Sequence, residues 1–206
     1  MSLVEKYRPE TFADIVGNDG KVGVMKKFCA NPSPSAWLLT GASGIGKTSL
    51  AHVVANELNP NAFNGLGKIE IQSGDCTAAT ISELWNRLAY SPGGSGWVTV
   101  IINEADAMTQ GAAVKLLDAL EKIPAKTCVI LTSNDTANMP DRLLSRMKVL
   151  FFTAQGMAEA GAKRLESIYK AEGGNNGYKP LNAMRAAKNN LRAAIQELEI
   201  ELLEHS

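Results

Sequence analysis

The residues best suited to do chemistry are Gly41-Ala42-Ser43-Gly44-Ile45-Gly46-Lys47-Thr48, which match G-x-x-x-x-G-K-[ST] at every fixed position. Glycines at this spacing let backbone N–H groups turn inward around phosphate oxygens. A helix starting at the end of the loop adds its positive N-terminal end. Lys47 reaches the terminal phosphates, the Thr48 hydroxyl offers an oxygen to Mg²⁺, and Ser49 follows on the same turn. The loop stands where this mechanism needs it, after the apolar run 36–40 and before the helical pattern 48–58.

A second group lies about sixty residues on. The apolar run Val98-Thr99-Val100-Ile101-Ile102 ends in Asn103-Glu104-Ala105-Asp106. In nucleotide hydrolases a buried strand ending in Asp-Glu sets one acid to hold Mg²⁺ and a second to polarise the attacking water. Glu104 is placed to be that base. Position 103 carries Asn where Asp is expected, so the metal ligands read as Thr48 and Asn103, the latter with a carbonyl oxygen and no charge. The pattern predicts that nucleotide binding survives, while Mg²⁺ affinity and turnover are lowered.

These residues need elements to hold them. Apolar runs at 36–40, 68–72, 97–102, 127–132 and 148–152 predict five buried parallel strands. Helical patterns fill the intervals, at 48–58, 80–89, 111–122 and 141–144. Alternation of this kind implies an α/β fold, a parallel sheet with helices on both faces. Residues 59–67 and 91–96 read as turn-rich loops. After Phe152 the strands stop. Residues 157–171 are helical, 172–179 form a Gly- and Asn-rich break, and 180–203 make one or two helices. The expected organisation is a nucleotide-binding domain over 1–153 and a small helical lid over 154–206.

Composition narrows the class. The chain has 206 residues, 45% hydrophobic and 20% charged, as expected of a folded soluble protein. Lys+Arg and Asp+Glu are both 21, so the whole chain carries no footprint for nucleic acid or an anionic membrane. Cys29, Cys76 and Cys128 form no C-x-x-C pair, which argues against zinc and for reduced cysteines in a cytoplasmic compartment, or a nuclear one in a eukaryote. No long apolar run or signal peptide is present.

With these motifs in order, the chain resembles an AAA+ ATPase, and more narrowly a clamp-loader small subunit of the replication factor C and bacterial polymerase III type. Val4-Glu5-Lys6-Tyr7-Arg8-Pro9 with Ile15-Val16-Gly17 resembles the family's adenine-binding segment. The phosphate loop and the run from Asn103 to Pro124 match its next two motifs. Leu131-Thr132-Ser133-Asn134 with Leu144-Ser145-Arg146-Met147 is similar to the sensor-1 strand and the S-R-C box, with Met147 in place of Cys. Asn190-Leu191-Arg192-Ala193-Ala194-Ile195 is similar to the lid motif G-D-L-R-x-A-I, with Asn189-Asn190 replacing Gly-Asp.

The resemblance implies roles. Tyr7, Arg8, Pro9, Val16 and Gly17 would line the adenine pocket of ATP or ADP. Asn134 would be sensor 1 at the γ-phosphate, Arg192 would be sensor 2 from the lid, and Arg146 would act as a finger on a neighbouring subunit's ATP. The partners implied are other clamp-loader subunits, a sliding clamp and primer–template DNA. Lys21, Lys26, Lys27, Arg87 and Lys115 are candidates for DNA contact. The family's third, helical collar domain is not in this sequence, so the isolated chain is expected to be a monomer or a weak oligomer.

Two other readings stay open: a hydrolysis-poor structural subunit of the same assembly, favoured by Asn103, and another AAA+ motor such as a branch-migration helicase or an unfoldase. Residues 73–83 hold no aromatic for an unfoldase pore loop.

Overall fold

The computed structural model describes residues 1–60, 67–90, 96–174 and 177–204. Parts of three expected loops (61–66, 91–95 and 175–176) lie outside the described residues.

Five strands form one parallel sheet: β1 (Ser35–Thr40), β2 (Lys68–Gln72), β3 (Val98–Asn103), β4 (Thr127–Ser133) and β5 (Lys148–Phe151), in the order β2-β3-β4-β1-β5. The α/β expectation holds. β1, β3 and β4 are buried along their whole length because helices cover both faces. Edge strands β2 and β5 are only partly covered.

Period-two alternation divides neighbouring residues between two cores. Leu38, Val100, Ile102 and Leu131 face one side, with α4 (Ala78–Tyr90) and α5 (Gln110–Glu121). Leu39, Ile101 and Ile130 face the other, with α3 (Lys47–Leu58) and α2 (Asp19–Ala30), which contribute Leu50, Val54, Met25 and Phe28. Fully burying one such side chain contributes roughly 1.5–3 kcal/mol.

A third core belongs to α7 (Met157–Ala171), α8 (Pro180–Ala186) and α9 (Leu191–Glu204), around Leu165, Ile168, Met184 and Leu198. Leu3 of the short α1 (Leu3–Lys6) is buried in it, with Val4 and Tyr7 packed against it. A last short helix, α6 (Asp141–Leu144), precedes β5.

Local chemistry sets these boundaries. The Thr109 hydroxyl accepts from the Ala112 N–H at 3.3 Å and starts α5. Pro180 opens α8, where its missing N–H costs nothing. Asn190 Oδ1 accepts from the Ala193 N–H at 3.0 Å and starts α9. Asn189 before it sits at φ 63°, the left-handed conformation expected of the residue replacing Gly.

Parallel register brings the C-terminal ends of the strands together. Thr40 lies beside Ser133 and Gln72 beside Asn103. After β1 the chain crosses to the far edge for β2, so the loop leaving β1 opens into the crevice that such a reversal creates.

Candidate functional site

An open cleft of about 1040 Å³ lies over these strand ends. The loop after β1, the ends of β3 and β4, the segment after α1 and the helices α7 and α9 all line it.

The loop is shaped by positive-φ glycines: Gly41 at 140°, Gly44 at 75° and Gly46 at 95°. Two of these are also contact points. A Cβ at Gly41 would lie 2.4 Å from the Phe152 carbonyl oxygen, and one at Gly44 only 1.8 Å from Asn190 Oδ1 at the start of α9. Gly46 is the N-cap of α3 and no side chain caps that helix, so its first-turn N–H groups keep their capacity for an external acceptor. Ser43, Gly44, Ile45, Gly46, Lys47, Thr48 and Ser49 line the cleft, while Gly41 and Ala42 form the root of the loop.

Lys47 is buried, 7% exposed. Its ammonium donates to the carbonyls of Gly41 (2.5 Å) and Ala42 (2.7 Å) and to Asn134 Oδ1 (3.3 Å). Burial lowers its pKa, Asp106 and Glu104 oppose that change, and Arg192 adds to it. Three of the expected charged residues therefore share one electrostatic environment with a cleft-lining Asn134.

At the end of β3, Asn103 is buried. Its Nδ2 donates to Glu70 Oε1 at 2.6 Å, and its Oδ1 accepts from Thr132 Oγ1 at 3.1 Å and from Thr48 Oγ1 at 3.4 Å. Glu70, on β2, also meets His52 Nε2 of α3 at 3.1 Å. Burial lowers the His52 pKa despite Glu70. At Glu70 burial works against the charge, yet His52, the Asn103 amide and Lys68 hold the carboxyl below its usual range. Glu104 stands in the left-handed region (φ 53°, ψ 46°), which turns its side chain into the cleft lining rather than along the strand.

The opposite wall comes from Tyr7, Arg8, Pro9 and Val16, with Arg192 from α9. Gly17 is not part of the lining. At φ 71° it packs against the start of α7, where a Cβ would lie 2.3 Å from Met157 Sδ. Arg146 lies away from the cleft: its guanidinium pairs with Glu121 and donates to the Arg142 carbonyl oxygen at 3.0 Å.

Comparison with known proteins places this geometry. Residues 61–156 match the family model described as "DNA polymerase III, delta subunit". Replication factor C subunit 4 of Saccharomyces cerevisiae is 28% identical over 93% of this chain and 62% of its own length. DNA polymerase III subunit gamma of Buchnera aphidicola subsp. Schizaphis graminum is 28% identical over 84% of this chain and 53% of its own. These sequence relatives are clamp-loader subunits, and this chain is similar to them. Its fold superposes on the Thermotoga maritima RuvB Holliday junction branch migration motor with a TM-score of 0.68, at 17% identity over 96% of this chain and 72% of that one. The chain spans about three fifths of the length of the curated relatives it matches, 62% and 61% for two of them.

The residues of this cleft suit a phosphate group. An uncapped helix N-terminus, a lysine and inward-turned glycines meet at one point. For a divalent cation they offer Thr48 Oγ1 and Asn103 Oδ1, both hard oxygen donors. Among the described residues no cluster of three or more His, Cys, Asp or Glu could hold a metal alone. The two oxygens of Thr48 and Asn103 suit Mg²⁺, which binds through few protein oxygens plus substrate phosphates.

Several cleft residues are not evident from the sequence motifs. Arg164 of α7 lines the cleft and donates to the Tyr7 carbonyl oxygen at 3.2 Å. Met157 also lines it, and Glu70 with His52 supports Asn103 from behind. Arg164 sits in an ordinary amphipathic helix, and Glu70 on a strand alternates with Ile69 and Ile71 like any half-exposed residue. Neither position carries a local signal. Among the described residues no helix is long and apolar enough to cross a membrane, and the three cysteines are free.

Proposed function

We propose that this chain binds ATP or ADP with Mg²⁺ in the cleft and serves as an ATP-hydrolysing subunit of a DNA sliding-clamp loader. One observation carries the reading: the uncapped start of α3, Lys47, Glu104, Asn134 and Arg192 all border the same cleft. In this reading residues 1–153 are the nucleotide-binding domain and 154–206 the lid.

Loop N–H groups and Lys47 hold the phosphates, with Lys47 exchanging loop carbonyls for phosphate oxygens. Tyr7, Arg8, Pro9 and Val16 form the wall for the base, and Gly17 shapes the turn behind it. Mg²⁺, when bound beside Thr48 and Asn103, supplies charge neutralisation on the phosphates. Glu104 accepts the proton of the attacking water. Asn134 orients groups at the terminal phosphate. Arg192 reaches the phosphates from the lid, so nucleotide contact biases the lid position. Arg146 serves a neighbouring subunit. The partners are other loader subunits, a sliding clamp and primer–template DNA, as the kinship with replication factor C supports.

Titration calorimetry with the full chain tests the binding step. Lys47→Ala should weaken ATP about tenfold to a hundredfold, as loss of a charge-assisted hydrogen bond of roughly 1.5–3 kcal/mol implies. Equal affinity in the two proteins would overturn the reading.

A second reading, nucleotide binding with poor hydrolysis, is favoured by Asn103, whose uncharged amide stands at the metal position. Mg²⁺-dependent turnover measured in a reconstituted assembly separates the two.

A further inference from the structure

The hydrogen bonds around Asn103 leave its amide one orientation. Ionised Glu70 can only accept, so the NH₂ group must face it. The carbonyl oxygen then points at the hydroxyls of Thr132 and Thr48. Turning the amide over would set its oxygen against the Glu70 carboxylate and aim NH₂ hydrogens at Thr48. An Asp at this position would need no such help, because both of its oxygens accept. Glu70 itself is held by His52 Nε2, while Lys68 Nζ lies 3.5 Å from His52 Nδ1. Three neighbouring elements thus converge on one amide.

We propose that Glu70 is a positioning residue for the cation site: it fixes the Asn103 amide so that Oδ1 faces the Thr48 side, and it brings to that site the negative charge which position 103 lacks. The carboxylate has in effect moved one strand outward, from β3 to β2. The inference rests on the nucleotide–Mg²⁺ reading of the cleft. It also predicts that Asp at 103 conflicts with Glu70, since two carboxylates would then meet where amide and carboxylate now lie 2.6 Å apart.

The test measures metal binding and does not depend on turnover. The full chain saturated with ADP is titrated with Mn²⁺ under electron paramagnetic resonance, and Mg²⁺ is then used as the competitor. Metal-free ADP affinity and thermal melting are followed in parallel. Glu70→Ala should weaken the cation about tenfold, the loss usual when a partner that orients a metal ligand is removed. Metal-free ADP affinity should stay within about twofold. Glu70→Gln, whose carbonyl can still accept from the amide, should recover part of the loss.

The decisive comparison uses the Asn103→Asp background. There Glu70→Ala should cost nothing or strengthen the cation, because a symmetric carboxylate needs no orienting partner and a like charge has gone. A role in stability alone would weaken both backgrounds alike. Equal losses in both backgrounds, or no loss in Glu70→Ala, would overturn the inference. Absence of ADP binding by the unmodified chain would instead overturn the reading of the cleft beneath it.

Discussion

The Tyr7 hydroxyl donates to the Glu172 carboxylate, joining residues 165 positions apart. Lys6 donates to the same carboxylate oxygen at 2.7 Å, and Arg164 donates to the Tyr7 carbonyl oxygen at 3.2 Å. The Leu3 N–H donates to Glu199 Oε1 of α9 at 3.2 Å. The N-terminal wall of the cleft is therefore fastened to the helices of the C-terminal part.

This contact should be acid-labile. Hydrogen bonds from Lys6 first, then Tyr7, hold the Glu172 carboxyl below its ordinary 4.5. A carboxylate with a depressed native pKa stabilises the fold fully above its unfolded value and loses that contribution as pH falls through the lower native value. Thermal melts of wild type and Glu172→Gln should differ at neutral pH and converge in acid below the ordinary carboxylate range. A constant gap across that range would contradict the assignment.

Gly44→Ala should damage both binding and packing. The left-handed backbone costs roughly 1–2 kcal/mol for a residue with a Cβ, and the new carbon would strike the Asn190 amide. Lower melting temperature and weaker nucleotide binding are the expected results. Adding Asn190→Gly should restore part of the melting temperature, since that removes the clash while costing the cap only a few tenths of a kcal/mol.

Glu104→Gln should separate binding from chemistry. The amide keeps the shape but cannot take a proton, and loss of a positioned base costs roughly 10²–10⁴ in rate. In an assembled complex turnover should fall by that order, with ATP affinity in calorimetry unchanged. A parallel fall in affinity would show that Glu104 works by shaping the loop.

Arg146, paired with Glu121 outside its own cleft, should matter only between subunits. An arginine supplied in trans raises phosphoryl-transfer rates by about 10³ or more in other nucleotide hydrolases. Arg146→Ala should lower turnover in an assembly while each subunit still binds ATP. Mixing Arg146→Ala with Lys47→Ala subunits should recover some activity, because some interfaces then combine an intact loop with an intact finger. Fast hydrolysis by a dilute monomer, indifferent to Arg146→Ala, would exclude the mechanism.

Sequence alone determined the parts whose signals are local. The glycine spacing before Lys47 marks the phosphate loop. Continuous apolar runs mark β1, β3 and β4, because strands covered on both faces must be apolar throughout. The order of the motifs pointed to the clamp-loader subunits that the chain is similar to. α2 was missed because Gly20 and Gly23 dilute its helical pattern and only Met25 and Phe28 are buried. Tertiary structure decided what depends on register and docking. Glu70 meets Asn103 only because β2 pairs with β3 so that Gln72 lies beside Asn103. Tyr7 meets Glu172, and Arg164 reaches both Tyr7 and the cleft, because Leu3 of α1 is buried among α7, α8 and α9. Local periodicity says which face of an element is apolar. Which distant polar group ends up opposite another is settled by the packing of those faces, which no short stretch of sequence contains.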